Sequence, residues 1–236
     1  MKKNNLLALI LMSGLVFADN EVYVEQTGNS ASIDLEQQGG SNLIGGGLAV
    51  SGTMTALDLD GISMTLDINQ IGSSNIFRSD AIDGDNFTGF FEWDGDSNVW
   101  DLLVDSTGLL GSDYINMNIN VTGSSNTADI KIAENAAADY LDLDWIITGD
   151  SNQFDFDIDY DLATNYVDVD GDSNSITFDG SGYQNGYFYL DQTGDGRTFS
   201  ITQSSTLASD WLKILSTGDN GTVCVIQNDG GTAVGC

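Results

Sequence analysis

Histidine and proline are both absent from the 236 residues, and 6 basic side chains stand against 36 acidic ones. Without histidine the chain lacks the commonest general base near neutral pH and the commonest zinc ligand. Without proline, every peptide N–H is free to join a ladder, as a chain made mostly of paired strands requires. A formal charge of −30 repels nucleic acid and anionic membrane surfaces, excludes nucleic-acid partners and favours cations. With 41% hydrophobic residues the chain still has enough apolar material for a core. Only two cysteines occur, Cys224 and Cys236. In an oxidising compartment they close one short loop, worth roughly 2 to 4 kcal/mol. The longest apolar run, Leu6 to Phe17, falls short of the roughly 20 residues that span a bilayer. Lys2 and Lys3 precede it and Val16 and Ala18 mark a cleavage site, so residues 1–18 read as a secretory signal peptide. A single domain over 19–236, secreted to the cell exterior, is the expectation.

What the chain does have is alternation. In "IITGDSNQFDFDIDYD", Ile146 to Asp161, Phe154, Phe156, Ile158 and Tyr160 take every second place, with Asp155, Asp157 and Asp159 between them. A period of 2 belongs to a strand with one dry and one wet face. The Gly-Asp-Ser-Asn turn before it recurs. Its copies run Gly39 to Asn42, Gly72 to Asn75, Gly95 to Asn98, Gly123 to Asn126, Gly149 to Asn152 and Gly171 to Asn174. Degenerate copies follow at Gly194 to Arg197 and Gly218 to Gly221, and successive turn glycines lie 33, 23, 28, 26, 22, 23 and 24 residues apart.

Parity is locked to the turn in every copy. Steps of two back from glycine reach Gln70, Ile68 and Leu66, or Ile147, Trp145 and Leu143; steps of two forward from asparagine reach Trp100, Leu102 and Val104, or Phe199, Ile201 and Gln203. Both strands of a unit therefore face one interior. A lone strand-turn-strand unit of about 23 residues cannot cover its own apolar face. Bending at the turn, so that each strand pairs with its equivalent in the next copy, solves this. The expected fold is all-β, a two-sheet parallel β-solenoid of about eight rungs. One stretch, Leu43 to Ser63, carries roughly ten extra residues and reads as an irregular insertion (43–63).

Gln70-Ile-Gly72-Ser-Ser-Asn75 and Gln37-Gln-Gly39-Gly-Ser-Asn42 resemble the Gln-x-Gly-x-x-Asn core of curlin repeats, the units of bacterial curli fibre subunits. Asn126-Thr-Ala128 is similar to the Asn-x-Ala that opens the family's second strand, and Gln203 and Gln227 match the glutamine that ends it. The resemblance implies a secreted solenoid that polymerises end to end into amyloid fibres of a biofilm matrix. Its partners would be other copies of itself, a nucleator and an outer-membrane secretion apparatus.

Catalysis is not expected, because the acids occupy outward strand positions rather than a recognisable pocket. One feature points to a cation. In register, Asp150, Asp172, Asp195 and Asp219 stack after successive turn glycines, and Asp101, Asp129 and Asp155 stack on the second strand. Carboxylates at rung spacing repel by on the order of 1 kcal/mol per pair even in water. Calcium, with its flexible oxygen coordination, is the candidate ligand of the turn aspartates. The alternative function is a non-amyloid surface adhesin or a ligand- or ice-binding solenoid, suggested by Thr122, Thr148, Thr193 and Thr217, a column interrupted by Asp170.

Overall fold

A computed structural model describes residues 20–39, 41–45, 57–72, 74–83, 86–95, 98–104, 114–123, 125–133, 139–182, 185–205 and 210–228. The expected signal peptide, most of the insertion and Cys236 lie outside the described residues.

Every described element is a strand and every strand pairing is parallel, so the chain is an all-β parallel β-solenoid. The first sheet stacks Ser32–Gln38, Met64–Ile71, Asn86–Asp94, Tyr114–Thr122, Tyr140–Thr148, Ala163–Asp170, Gly186–Thr193 and Trp211–Thr217. The second begins with Asn20–Glu21 and Glu25–Thr27, followed by the short pair Asn42–Leu43 and Leu57–Asp60. It continues through Ile76–Asp83, Val99–Val104, Thr127–Ile132, Gln153–Tyr160, Ser175–Gly182, Thr198–Ser205 and Thr222–Asn228.

From Asn86 to Asn228 the chain winds through about six regular turns. Residues at equal distance from the turn pair directly: Trp145 lies beside Val167, and Val167 beside Leu190. The N-terminal part is less regular. Asn42–Leu43 and Leu57–Asp60 share one position in the second sheet; the latter lies within the expected irregular insertion (43–63) and is a paired strand, with the register shifting where it meets Ile76–Asp83.

The core follows the parity read from the turn. Phe154, Phe156, Ile158 and Tyr160 are buried, while Asp155 and Asp157 are exposed. Tryptophans fill the middle of the prism: Trp145 meets Phe154 and Phe156 edge to face, with centroids 5.2 and 4.3 Å away. Such pairs add about 0.5 to 1.5 kcal/mol beyond the burial of their area. Interior glutamines satisfy one another where aromatics leave room. Gln70 donates to Gln37 Oε1 at 2.9 Å and accepts from Trp93 Nε1 at 2.5 Å.

Candidate functional site: the turn ladder and the solenoid ends

Stacked turns form the most regular feature of the molecule. Turn glycines from Gly39 to Gly218 sit at φ between 132° and 146° wherever the angle is positive. An added Cβ would lie 1.7 to 2.1 Å from the carbonyl oxygen of the preceding turn glycine, from Gly72 through to Gly218. Glycine is thus required by conformation and by contact together. Two residues on, Ser125, Ser151 and Ser173 are left-handed at φ near 60°, joined by Gly196 at 65° and Asn220 at 58°.

Turn asparagines run a ladder inside the corner. The amide N–H of Asn98, Asn126 and Asn152 each donates to the side-chain oxygen of the asparagine in the next rung, at 3.0, 2.9 and 2.9 Å. All six turn asparagines, Asn42, Asn75, Asn98, Asn126, Asn152 and Asn174, are buried. Arg197 takes the next place and is also buried, donating from Nη1 to the Thr217 carbonyl at 2.7 Å. Its guanidinium reaches into the space above it: a Cβ at Gly221 would touch Nη2 at 3.5 Å. The two degenerate turns are thus neighbours in the stack, with Gly221 in ordinary contact range of the guanidinium.

Asp150, Asp172, Asp195 and Asp219 do stack after the turn glycines, and the carboxylates of the first three accept hydrogen bonds. The amide N–H groups of Asp172, Asp195 and Asp219 donate to the carboxylate of the aspartate one rung back, at 2.7, 2.6 and 2.6 Å. An anion on a backbone N–H gains more than a neutral acceptor does, which offsets part of the repulsion along the column. Among the described residues no group of three or more His, Cys, Asp or Glu side chains is arranged to hold a metal ion. On the second sheet Asp101, Asp129 and Asp155 are direct neighbours in register.

Two further turns of the same geometry lie at the opposite corner, outside the motif that marks the others. Gly28 and Ser30 have φ of 133° and 61°, Ser63 has 60°, and a Cβ at Gly61 would sit 2.1 Å from the Gly28 carbonyl oxygen. Their signal was present as Gly-x-Ser, but the fourth-place asparagine used to find the other copies is absent. Cys224 projects from the last strand beside Ser200 and is disulfide-bonded; Cys236 is the chain's other cysteine.

The two ends differ from the body. Val223 and Val225 occupy interior positions, yet are 41% and 37% exposed, whereas their equivalents one rung back, Phe199 and Ile201, are 1% exposed. Leu212 and Ile214 are likewise only partly buried, and Trp211 is 68% exposed. At the other end Val22 and Val24 pack against the core and Tyr23 is exposed.

Charge on the outer face of the first sheet is frustrated. Asp67 is pushed above the ordinary carboxylate value by burial and by Asp34 and Glu92; Asp144 rises through burial and Asp142. Asp168 rises through burial and then through Asp191, Asp170 and Asp144. Beside them Tyr166 and Tyr189 stack at 4.8 Å, with Lys213 Nζ 4.7 Å from the Tyr189 ring. No protein family, curated protein or solved structure matches the chain.

Proposed function

We propose that this chain is a secreted structural subunit that self-assembles end to end into extracellular, curli-like amyloid fibres of a biofilm matrix. In this reading the six regular turns and the two irregular N-terminal ones make eight curlin-like rungs. The observation that carries the proposal is the last rung, whose interior positions Val223 and Val225 stay exposed while the same positions one rung earlier are covered. An apolar, unpaired parallel edge is a template for another strand unless charge or a covering segment blunts it. At the N-terminal end Asn20–Glu21 and Glu25–Thr27 are the outermost described strands of their sheet, pairing with Asn42–Leu43 and Leu57–Asp60. A second copy stacked there would bury the valines as the body buries Phe199 and Ile201.

A second reading, a non-amyloid ice- or surface-binding solenoid, draws on the exposed column Thr122, Thr148, Asp170, Thr193 and Thr217, which is in register. Electron microscopy and light scattering of the mature chain after dilution from denaturant separate the two. Unbranched fibres with a thioflavin signal are expected from the natural chain, and monomers from a Val223→Lys/Val225→Lys variant that melts normally. Persistent monomers of the natural chain at high concentration and moderate salt would refute the fibre reading.

A further inference from the structure

A groove of about 760 Å³ runs along the outer face of the first sheet, across the beginnings of its successive strands. Two rows of outward side chains line it. One row centres on Tyr114 and Tyr140, which stack with centroids 4.7 Å apart and planes within 5°. The second row is Thr88, Asn116, Asp142 and Thr164, direct neighbours in register on four consecutive strands. Beneath them the floor is fixed by the buried interior side chains of the same strands, including Phe87, Ile115 and Leu141. The tyrosines are large exposed aromatics, at 54% and 46%.

We infer that this groove binds a linear, uncharged polysaccharide laid parallel to the solenoid axis. Three features select that ligand. The donors and acceptors are hydroxyl, amide and carboxylate groups repeated once per rung, at about 4.8 Å, so they meet a polymer that presents hydroxyls at a regular repeat. The tyrosines add apolar contact with a polar tip, the combination that holds the C–H faces and hydroxyls of a sugar. Among the described residues the lining contains a carboxylate and no cation, and the whole chain carries −30, so polyanions are repelled. A peptide strand is disfavoured because the sheet strands that line the groove have both edges already paired and offer no free ladder. The groove lies on a lateral face, so a fibre would display it once per subunit. Individually weak sites then add by avidity along the polymer.

The test is native affinity electrophoresis of the mature chain in gels cast with hydroxyethyl cellulose, laminarin, xylan or glucomannan, with alginate as the charged control. The expected result is retardation in at least one neutral glycan and none in alginate. The Tyr114→Ala/Tyr140→Ala variant should lose at least tenfold in apparent affinity. Asn116→Ala, a smaller change, should show a partial loss and guards against misfolding of the double variant. Free migration in all four neutral gels would overturn the inference. So would retardation in alginate, or retardation unchanged in a folded tyrosine variant. Because fibres do not enter the gel, the species run is the mature chain carrying Val223→Lys/Val225→Lys, which keeps the groove inside the stack and isolates glycan binding from assembly.

Discussion

Replacing Gly149 by alanine tests the turn ladder directly. At φ +135° a side chain costs on the order of 1 to 3 kcal/mol in backbone strain. The new Cβ would also lie 1.9 Å from the Gly123 oxygen and 2.6 Å from its carbonyl carbon. Neighbouring turns must therefore part by about 1 Å, since Cβ contacts under 3.0 Å are essentially never seen. The backbone bonds that join them, Gly123 N–H to Thr148 O and Ser125 N–H to Asp150 O, both 2.9 Å, stretch as a result. At roughly 1 kcal/mol for each weakened bond, the total comes to about 3 to 5 kcal/mol. For a chain of this size that lowers Tm by about 10 °C. Because rungs touch only their neighbours, the break should also divide unfolding into two steps. Circular dichroism melts and urea titrations of monomeric protein provide the assay. Ser151→Gly is the matched control: at φ 60° glycine removes a left-handed penalty, so Tm should hold or rise slightly. A Gly149→Ala variant within about 2 °C of the natural chain would refute the stacking argument.

Other outcomes follow from the same geometry. Asp67, Asp144 and Asp168 bind protons more tightly folded than unfolded. Their contribution is therefore present below the ordinary carboxylate value near 3.8 and is lost as pH rises through the raised folded values. Tm at fixed ionic strength should thus be higher at mildly acidic pH than at neutral pH, and a fall on acidification would contradict this. If calcium bridges Asp150, Asp172, Asp195 and Asp219, millimolar calcium will raise Tm above that in EDTA at matched ionic strength; equal values would leave the amide bonds as the support of that ladder. Gly221→Asn should destabilise by crowding the buried Arg197, and Arg197→Asn in the same chain should restore stability by re-forming the asparagine ladder, measured as a double-mutant cycle. Mass spectrometry of the protein purified without reductant should find Cys224 and Cys236 protected from alkylation; free thiols would exclude a disulfide between them.

Repetition made the solenoid legible in the amino-acid order. Eight glycine-led turns with fixed parity on either side specify which side chains face inward, because strand period and turn phase are local properties. Phe154, Trp145 and Leu190 are buried for that reason, and the stacking of Asp150 on Asp172 followed from the same register. What local pattern could not supply was the identity of the group meeting each polar atom. The carboxylates of Asp150, Asp172 and Asp195 accept from amide N–H groups one rung on, a direction that depends on backbone orientation in the stacked turn and leaves the expected calcium bridge to the EDTA comparison. The burial of Arg197 in the asparagine column, with Nη1 on the Thr217 carbonyl, is also a property of the stack. The exposure of Val223 and the groove beside Tyr114 were likewise decided by three-dimensional arrangement alone. Parity assigns a side chain to the interior, but only the presence or absence of a following rung determines whether water still reaches it.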